Sequence, residues 1–384
     1  MSCRIAPACI MAVLFGVVAT AFLSGCGSGG GGKVRATALV GKVVDAAGEP
    51  LAGVRVDFTS PASSLAATTA VNGGFVMDGP PTGKGLVVRF AKQGYVTNFR
   101  VVSISGGTSS TVQVTLNPVS RVVEIDPTKN QTVADNRTDG LNATIAFQAN
   151  SLPTSATSVE ITTAVQGDPS YSSLFPGEFT GIPTGGSRGP LRSFSIATIT
   201  ARDASGNQLQ LDPSKPATLS IPVSPTSDPS DATVPLWRVN ETTGIWEQVG
   251  LATRMPGVPV VYRAEVTHLS TFNLDIYEPA SGLKVIAVDY TRGSFDSSTL
   301  SSLPRLPGVW VQIEREFWAG SGNTDERGEL VLSPPVGTKV FTFTGSKLLY
   351  QDFRAVPGGT DPSGQVIVYV GLRLQPGDVG VIVK

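Results

Sequence analysis

Apolar residues recur at every second position through most of this chain. Val54, Val56 and Phe58 alternate with Arg55 and Asp57, and Val112, Val114 and Leu116 repeat the pattern. Ala143, Ile145 and Phe147 do the same, as do Val159, Ile161, Thr163 and Val165, and then Leu219, Ile221 and Val223. A period of two places alternate side chains on one face of a pleated strand, so each run predicts a strand with one buried face. Between the runs stand DAAGEP, VNGG and GPPTGKG, which supply the residues that tight reversals need. The 43 glycines and 28 prolines, with only 15% charged residues, fit the same turn-rich pattern. No convincing amphipathic helix interrupts it. The expected fold class is all-β.

The first residues follow a different rule. Arg4 precedes the uncharged run MAVLFGVVATAFL, which is short for a membrane span and reads as the core of a secretory signal. Leu23-Ser24-Gly25-Cys26 then resembles the lipobox of bacterial lipoproteins. That resemblance implies cleavage before Cys26, a diacylglycerol on its sulfur and acylation of the new amine, with several chains giving stable anchoring. Cys3 and Cys9 would leave with the signal, so Cys26 would be the single cysteine of the mature chain and no internal disulfide could form. Gly27 follows the cysteine, and in enteric bacteria a residue other than aspartate there goes with the outer membrane. Residues 1–25 are thus expected to be a signal peptide, and 26–35 the lipidated cysteine with a flexible glycine-rich tether.

VGKVVDAAGEPLAGVRVDF, TTAVNGGFVMDG, LVVRFAKQGYVTNFRVVSI and VQVTLNPV resemble the carboxypeptidase regulatory-like domain, a transthyretin-type sandwich of seven strands. The resemblance covers residues 36–118 and implies no catalysis, because in carboxypeptidases the module accompanies the enzyme. A weaker copy is read over 283–384: Leu306-Pro307-Gly308-Val309 parallels Leu51-Ala52-Gly53-Val54. Within it the serine-rich stretch TRGSFDSSTLSSLPR is expected to be an irregular loop. The block 119–279 carries FQANSLP, FPGEF, RDASGNQLQL, PLWRVNETTGIWEQVG and VTHLSTFNLD. These resemble the sandwich module of cartilage intermediate layer protein and netrin receptors. Three tandem sandwiches would form a rod, each burying its own core, with polar joints.

His268 is the only histidine. His268-Leu269-Ser270 resembles the triplet at which autoproteolytic receptor modules cut themselves before the hydroxyl residue, the histidine taking the hydroxyl proton. Trp237 and Trp246 sit upstream as in that motif, but the paired cysteines of the receptor module are missing. The competing reading is a strand whose Leu269 packs inward and whose His268 bonds a neighbour's backbone. Glu265 and Asp275, which flank it, are expected to be solvated. Trp318, in REFWAGSG, is expected near a hairpin tip, where an indole can stack on a sugar or a partner, though more often such a ring folds back on its own sandwich; Trp310 lies within a strand.

Cofactors are not expected. GPPTGKG, residues 79–85, is one residue short of a phosphate loop, and Gly85 replaces its hydroxyl residue. One histidine and a lipidated cysteine cannot make a zinc site. Asp126, Asp135 and Asp139 form a weak calcium candidate in IDPTKNQTVADNRTDG, though aspartates in loops are commonly turn formers. Sequons at Asn130, Asn136, Asn142 and Asn240 carry no weight beside a bacterial lipobox. A formal net charge of −1, and no basic cluster interleaved with aromatics, argue against nucleic acid. The sequence thus reads as a membrane-anchored envelope lipoprotein, not an enzyme, that is a structural or binding module for an envelope protein or polysaccharide. Self-cleavage at Leu269/Ser270, and service as accessory module to a separate hydrolase, are the rival readings.

Overall fold

The computed structural model describes residues 37–315, 318–336, 342–347 and 350–374. The signal segment, Cys26 and the tether lie outside the described residues, as does the chain beyond Leu374. Among the described residues the protein is built from strands, with one four-residue helix, Tyr171–Leu174, and one 3-10 turn, Leu300–Ser302. That turn falls in the serine-rich stretch and buries Leu300. No described helix is long and apolar enough to cross a membrane.

The first seven strands form two sheets. Ala38–Asp45 lies between Gly74–Asp78, antiparallel, and Ser109–Leu116, parallel. The facing sheet runs Ala62–Thr68, Arg55–Ser60, Gly83–Ala91, Asn98–Ile104. The period-two residues meet between them: Leu39, Val43, Val56, Phe58, Phe90, Val112 and Val114 share one buried core. Phe75 and Phe90 meet edge-on there at 6.0 Å between ring centroids.

The last seven strands repeat the plan. Leu283–Asp289 pairs antiparallel with Glu329–Leu332 and parallel with Val366–Leu374, and Trp310–Arg315 pairs with Trp318–Asn323 and Thr342–Ser346. Each plan contains the same buried clamp. Thr69 Oγ1 donates to Leu51 O at 2.6 Å and accepts from Val54 N at 2.9 Å. Thr324 Oγ1 donates to Leu306 O at 2.7 Å and accepts from Val309 N at 3.0 Å. One hydroxyl thus satisfies both a donor and an acceptor of a turn that carries them into the core.

Between these lies a sheet of twelve strands that doubles back on itself. Its long strands Ala156–Val165, Gly189–Asp203 and Thr271–Tyr277 lie side by side, and Val159, Ile161, Ile199, Leu219, Tyr262 and Phe272 converge on one core.

The polar joints expected of a rod are replaced by apolar ones. Trp310, from the C-terminal sandwich, belongs to the core of the N-terminal one. A second cluster joins Phe175, Trp237 and Trp246 of the central sheet to Val285, Val311 and Trp318 of the C-terminal sandwich. The described residues accordingly belong to one compact unit. Polar contacts lock the seam of the first and last sandwiches: Asn323 Nδ2 donates to Thr111 O at 2.7 Å, and Lys347 Nζ to Ser109 O at 3.3 Å. Gly308 adopts φ +69°, and a Cβ there would stand 2.7 Å from Ser109 O, so the seam needs glycine twice over.

Candidate functional site

The triplet around His268 lies in a bend between Val261–Val266 and Thr271–Tyr277, not on a strand. Leu269 packs inward at 2% exposure, as expected. Its backbone is held by a side chain: Leu269 N donates to Gln210 Oε1 at 2.7 Å, and Gln210 Nε2 donates to Leu269 O at 2.9 Å. The amide of Gln210 imitates a strand neighbour where the ladder has a gap. Ser270 O in turn accepts from Ile199 N at 3.1 Å.

His268 does not bond a neighbour's backbone. Its ring lies 5.4 Å from that of Phe272, and its Nε2 is buried with no hydrogen-bond partner. Burial, reinforced by the Arg238 guanidinium, pulls its pKa down to about 4, so the imidazole is neutral at pH 7. Such a group is a poor base at that pH. No hydrogen bond links it to the Ser270 hydroxyl, and none of the three residues has a positive φ. The geometry brings together the residues of the cleavage triplet without the contact that cleavage uses.

What His268 does instead is form the wall of an open cleft of about 510 Å³, with Gln208, Arg238, Asn240, Glu241 and Ser270. Arg238 reaches Glu247 only at 3.4 Å, and its Nε is buried without an acceptor. Two residues of the cleft thus each hold a buried nitrogen whose hydrogen-bonding capacity is unspent, which is costly. Arg238 and Gln208 stand far from His268 in sequence, and no motif pointed to them.

Further along Thr271–Tyr277, Asp275 departs from the solvated carboxylate expected. It is 0% exposed. Asn273 Nδ2 donates to its Oδ2 at 2.7 Å, Ser193 Oγ donates to Asn273 Oδ1 at 2.9 Å, and the Tyr171 hydroxyl meets Ser193 Oγ at 2.5 Å. Burial pushes the Asp275 pKa well above its ordinary value, favouring the protonated form. Both faces of Thr271–Asp275 are covered, by the central core on one side and the Phe175–Trp237 cluster on the other.

Trp318 opens the second strand of a hairpin, opposite Arg315, as expected, and of the two readings of its ring the inward one holds. It is 2% exposed and sits in the second apolar cluster, so its ring meets no solvent-borne sugar. Gly320 makes room for it: a Cβ there would lie 2.6 Å from the indole. The three aspartates have separate partners. Asp126 binds Lys129 Nζ at 2.7 Å, Asp139 binds Arg137, and buried Asp135 accepts from Thr163 N at 2.7 Å. Among the described residues no group of three or more histidine, cysteine or acidic side chains is gathered for a metal.

No family model matches the chain, and no curated protein is significantly similar to it. Solved structures show distant likeness. The Bacillus anthracis TIE protein is 14% identical over 82% of this chain, which spans only 46% of that protein, with a TM-score of 0.20. BcpA, the major pilin subunit of Bacillus cereus, is 11% identical over 86% of this chain and 92% of its own, at 0.19. A membrane-associated protein of Bacteroides fragilis is 11% identical over 63% of this chain and 98% of its own, at 0.18. Likeness at this level bears on neither activity nor partners.

Proposed function

We propose that this chain is a cell-envelope lipoprotein, anchored through Cys26, that presents the His268 cleft to a polysaccharide as a non-catalytic binding module. The observation that carries this reading is a cleft of about 510 Å³ lined by the polar side chains of Gln208, Gln210, Arg238, Asn240, His268 and Ser270. That size suits a few sugar residues. The wall offers donors and acceptors, and the charge of Arg238 is opposed by Glu241 and Glu247, which fits a neutral, hydroxyl-rich ligand better than an anion. A neutral imidazole that contacts no nucleophile supports binding over turnover. The first and third sandwiches are read as regulatory-like modules on their shared plan and on the sequence resemblance. The LSGC lipobox supports the anchor, and with Gly27 an outer-membrane address.

The full-length protein in detergent is expected to sediment with a purified insoluble polysaccharide from a panel of peptidoglycan, cellulose, chitin and mannan. Arg238→Ala should cut retention about tenfold while leaving the thermal midpoint within about 2 °C. Equal retention of both proteins, or retention of neither, contradicts the reading. Membrane extraction tests the anchor separately: Cys26→Ser should release the chain to the soluble fraction.

A further inference from the structure

Arg305, Arg354 and Arg373 of the C-terminal sandwich are exposed, and among the described residues none of them has a carboxylate within ion-pair distance. The chain as a whole carries a formal net charge of −1, so this excess of positive charge is local. Strand register gathers it. Val368, Val370 and Leu372 point into the second apolar cluster, so Tyr369, Gly371 and Arg373 point to the outer face of the sheet. Arg354, on Tyr350–Thr360, stands opposite Gly371, and Arg305 bridges to Val288, which pairs with Gly371 from the other side. The outer face thus carries a row of positive charge about 13 Å long, from Tyr369 to Arg373.

Aromatic rings set the planes of these guanidiniums. Arg373 lies over the Tyr290 ring at 4.7 Å from its centroid, Arg354 lies over the same ring at 5.6 Å, and Arg305 lies over Tyr369 at 5.6 Å. Tyr290 is itself fixed. It is 1% exposed, its hydroxyl donates to Asp352 O at 2.8 Å, and Phe295, from the serine-rich stretch, packs against it at 5.3 Å between centroids. Gly371 admits Phe295, since a Cβ there would stand 2.6 Å from that ring. A guanidinium stacked on a ring is held in place while its N–H edge stays available to a planar acceptor. The carboxylates of the neighbourhood do not serve: Asp289 accepts from Thr291 N at 2.8 Å and from the Tyr350 hydroxyl at 3.3 Å, and exposed Asp352 pairs with neither arginine.

Charge complementarity calls for an acidic partner, and the rest of the face narrows its kind. Protein and membrane partners are met by exposed apolar anchors. The exposed apolar side chains on these strands, Val331 and Val366, stand in register with Lys284 and Leu283, at the end of the sheet away from Arg373, and the rings near the arginines are covered. A flat row of fixed guanidiniums without an apolar anchor suits a linear, hydroxyl-rich chain bearing planar carboxylates. We infer that this outer face is a second binding surface, separate from the His268 cleft, for an acidic polysaccharide whose uronate carboxylates meet Arg305, Arg354 and Arg373.

The test uses the full-length protein in detergent, titrated with sodium alginate and with polygalacturonate, and in parallel with neutral dextran, duplex DNA and vesicles of phosphatidylglycerol. At least one of the two uronans should bind more tightly than any of the other three, and its binding should weaken as sodium chloride rises from about 50 mM to about 500 mM. Replacing two of the arginines together, Arg354→Gln with Arg373→Gln, should weaken that binding about tenfold. Should that double variant not fold, Arg305→Gln, which alters the guanidinium over the other ring, provides the second arm, with a loss of about threefold. Arg238→Ala, in the cleft, should leave uronan binding unchanged, so failure here and failure of the cleft reading are told apart. No binding of either uronan, equal binding by the arginine variants, tighter binding of DNA, dextran or vesicles, or a loss caused by Arg238→Ala would each overturn the assignment.

Discussion

The N-terminal and C-terminal sandwiches use seven strands in the same order but divide them differently. In the first, the sixth strand, Asn98–Ile104, pairs with the fifth and makes sheets of three and four. In the last, the sixth, Tyr350–Thr360, pairs with the seventh and makes sheets of four and three. The clamp threonines, the positive-φ glycines Gly53 and Gly308, and the parallel pairing of first and seventh strands are shared. What differs is the environment of the sixth strand. Asn98–Ile104 is largely buried against the central sheet, with Gly177 N bonded to Phe99 O, whereas Tyr350–Thr360 is largely exposed and bulges at Pro357 and Gly359. Local turns set the hairpins, and neighbouring sandwiches decide which sheet receives an edge strand.

The seam offers the largest test of that comparison. Trp310→Ala removes a side chain that belongs to the core of the other sandwich, and should cost about 3–5 kcal/mol. Calorimetry should show the native chain melting in one transition and the variant in two. The clamps come next. Thr69→Val and Thr324→Val each leave a buried carbonyl and amide unpaired, and denaturant titration should find losses of about 1–3 kcal/mol, alike in the two sandwiches. A large loss at one and none at the other would break the equivalence.

Two titrations are smaller. Asp275 has a folded pKa above its unfolded value near 3.9, so the stability associated with its protonated form is complete below about pH 4 and declines as the pH rises toward the folded value. Asp275→Asn should flatten that decline, gaining most at neutral pH, as read by thermal midpoints from pH 4 to 9. His268 runs the other way. Its folded value, about 4, lies below the unfolded value of about 6.5, so its stability is present above pH 6.5 and is lost as the pH falls through 4. His268→Gln should remove that acid-side slope and leave the alkaline side unchanged.

The strands were legible because alternation is a local signal, and the all-β class follows from it. Leu306-Pro307-Gly308-Val309 was legible as a copy of Leu51-Ala52-Gly53-Val54. The clamp was within reach too, since each threonine stands fifteen residues after its valine, at 54/69 and 309/324. Asp275 was misread because alternation assumes one wet face, whereas Thr271–Asp275 is covered on both. Trp318 was legible as a hairpin residue, which pairs with Arg315, and its inward packing was one of the two readings; Gly320, a strand position, is what admits the indole. The cleft itself depends on Arg238 and Gln208 arriving beside His268 through sheet pairing, which no short motif encodes.

Because His268 is the only histidine, protein labelled with ¹⁵N-histidine gives one imidazole spectrum that reports the cleft alone. Titrating the full-length protein with the neutral tetrasaccharides cellotetraose, maltotetraose, mannotetraose and chitotetraose should shift the Nε2 resonance for at least one of them, with the sugar recovered intact. A resonance unmoved by all four, or a sugar consumed during the titration, would contradict a non-catalytic glycan-binding cleft.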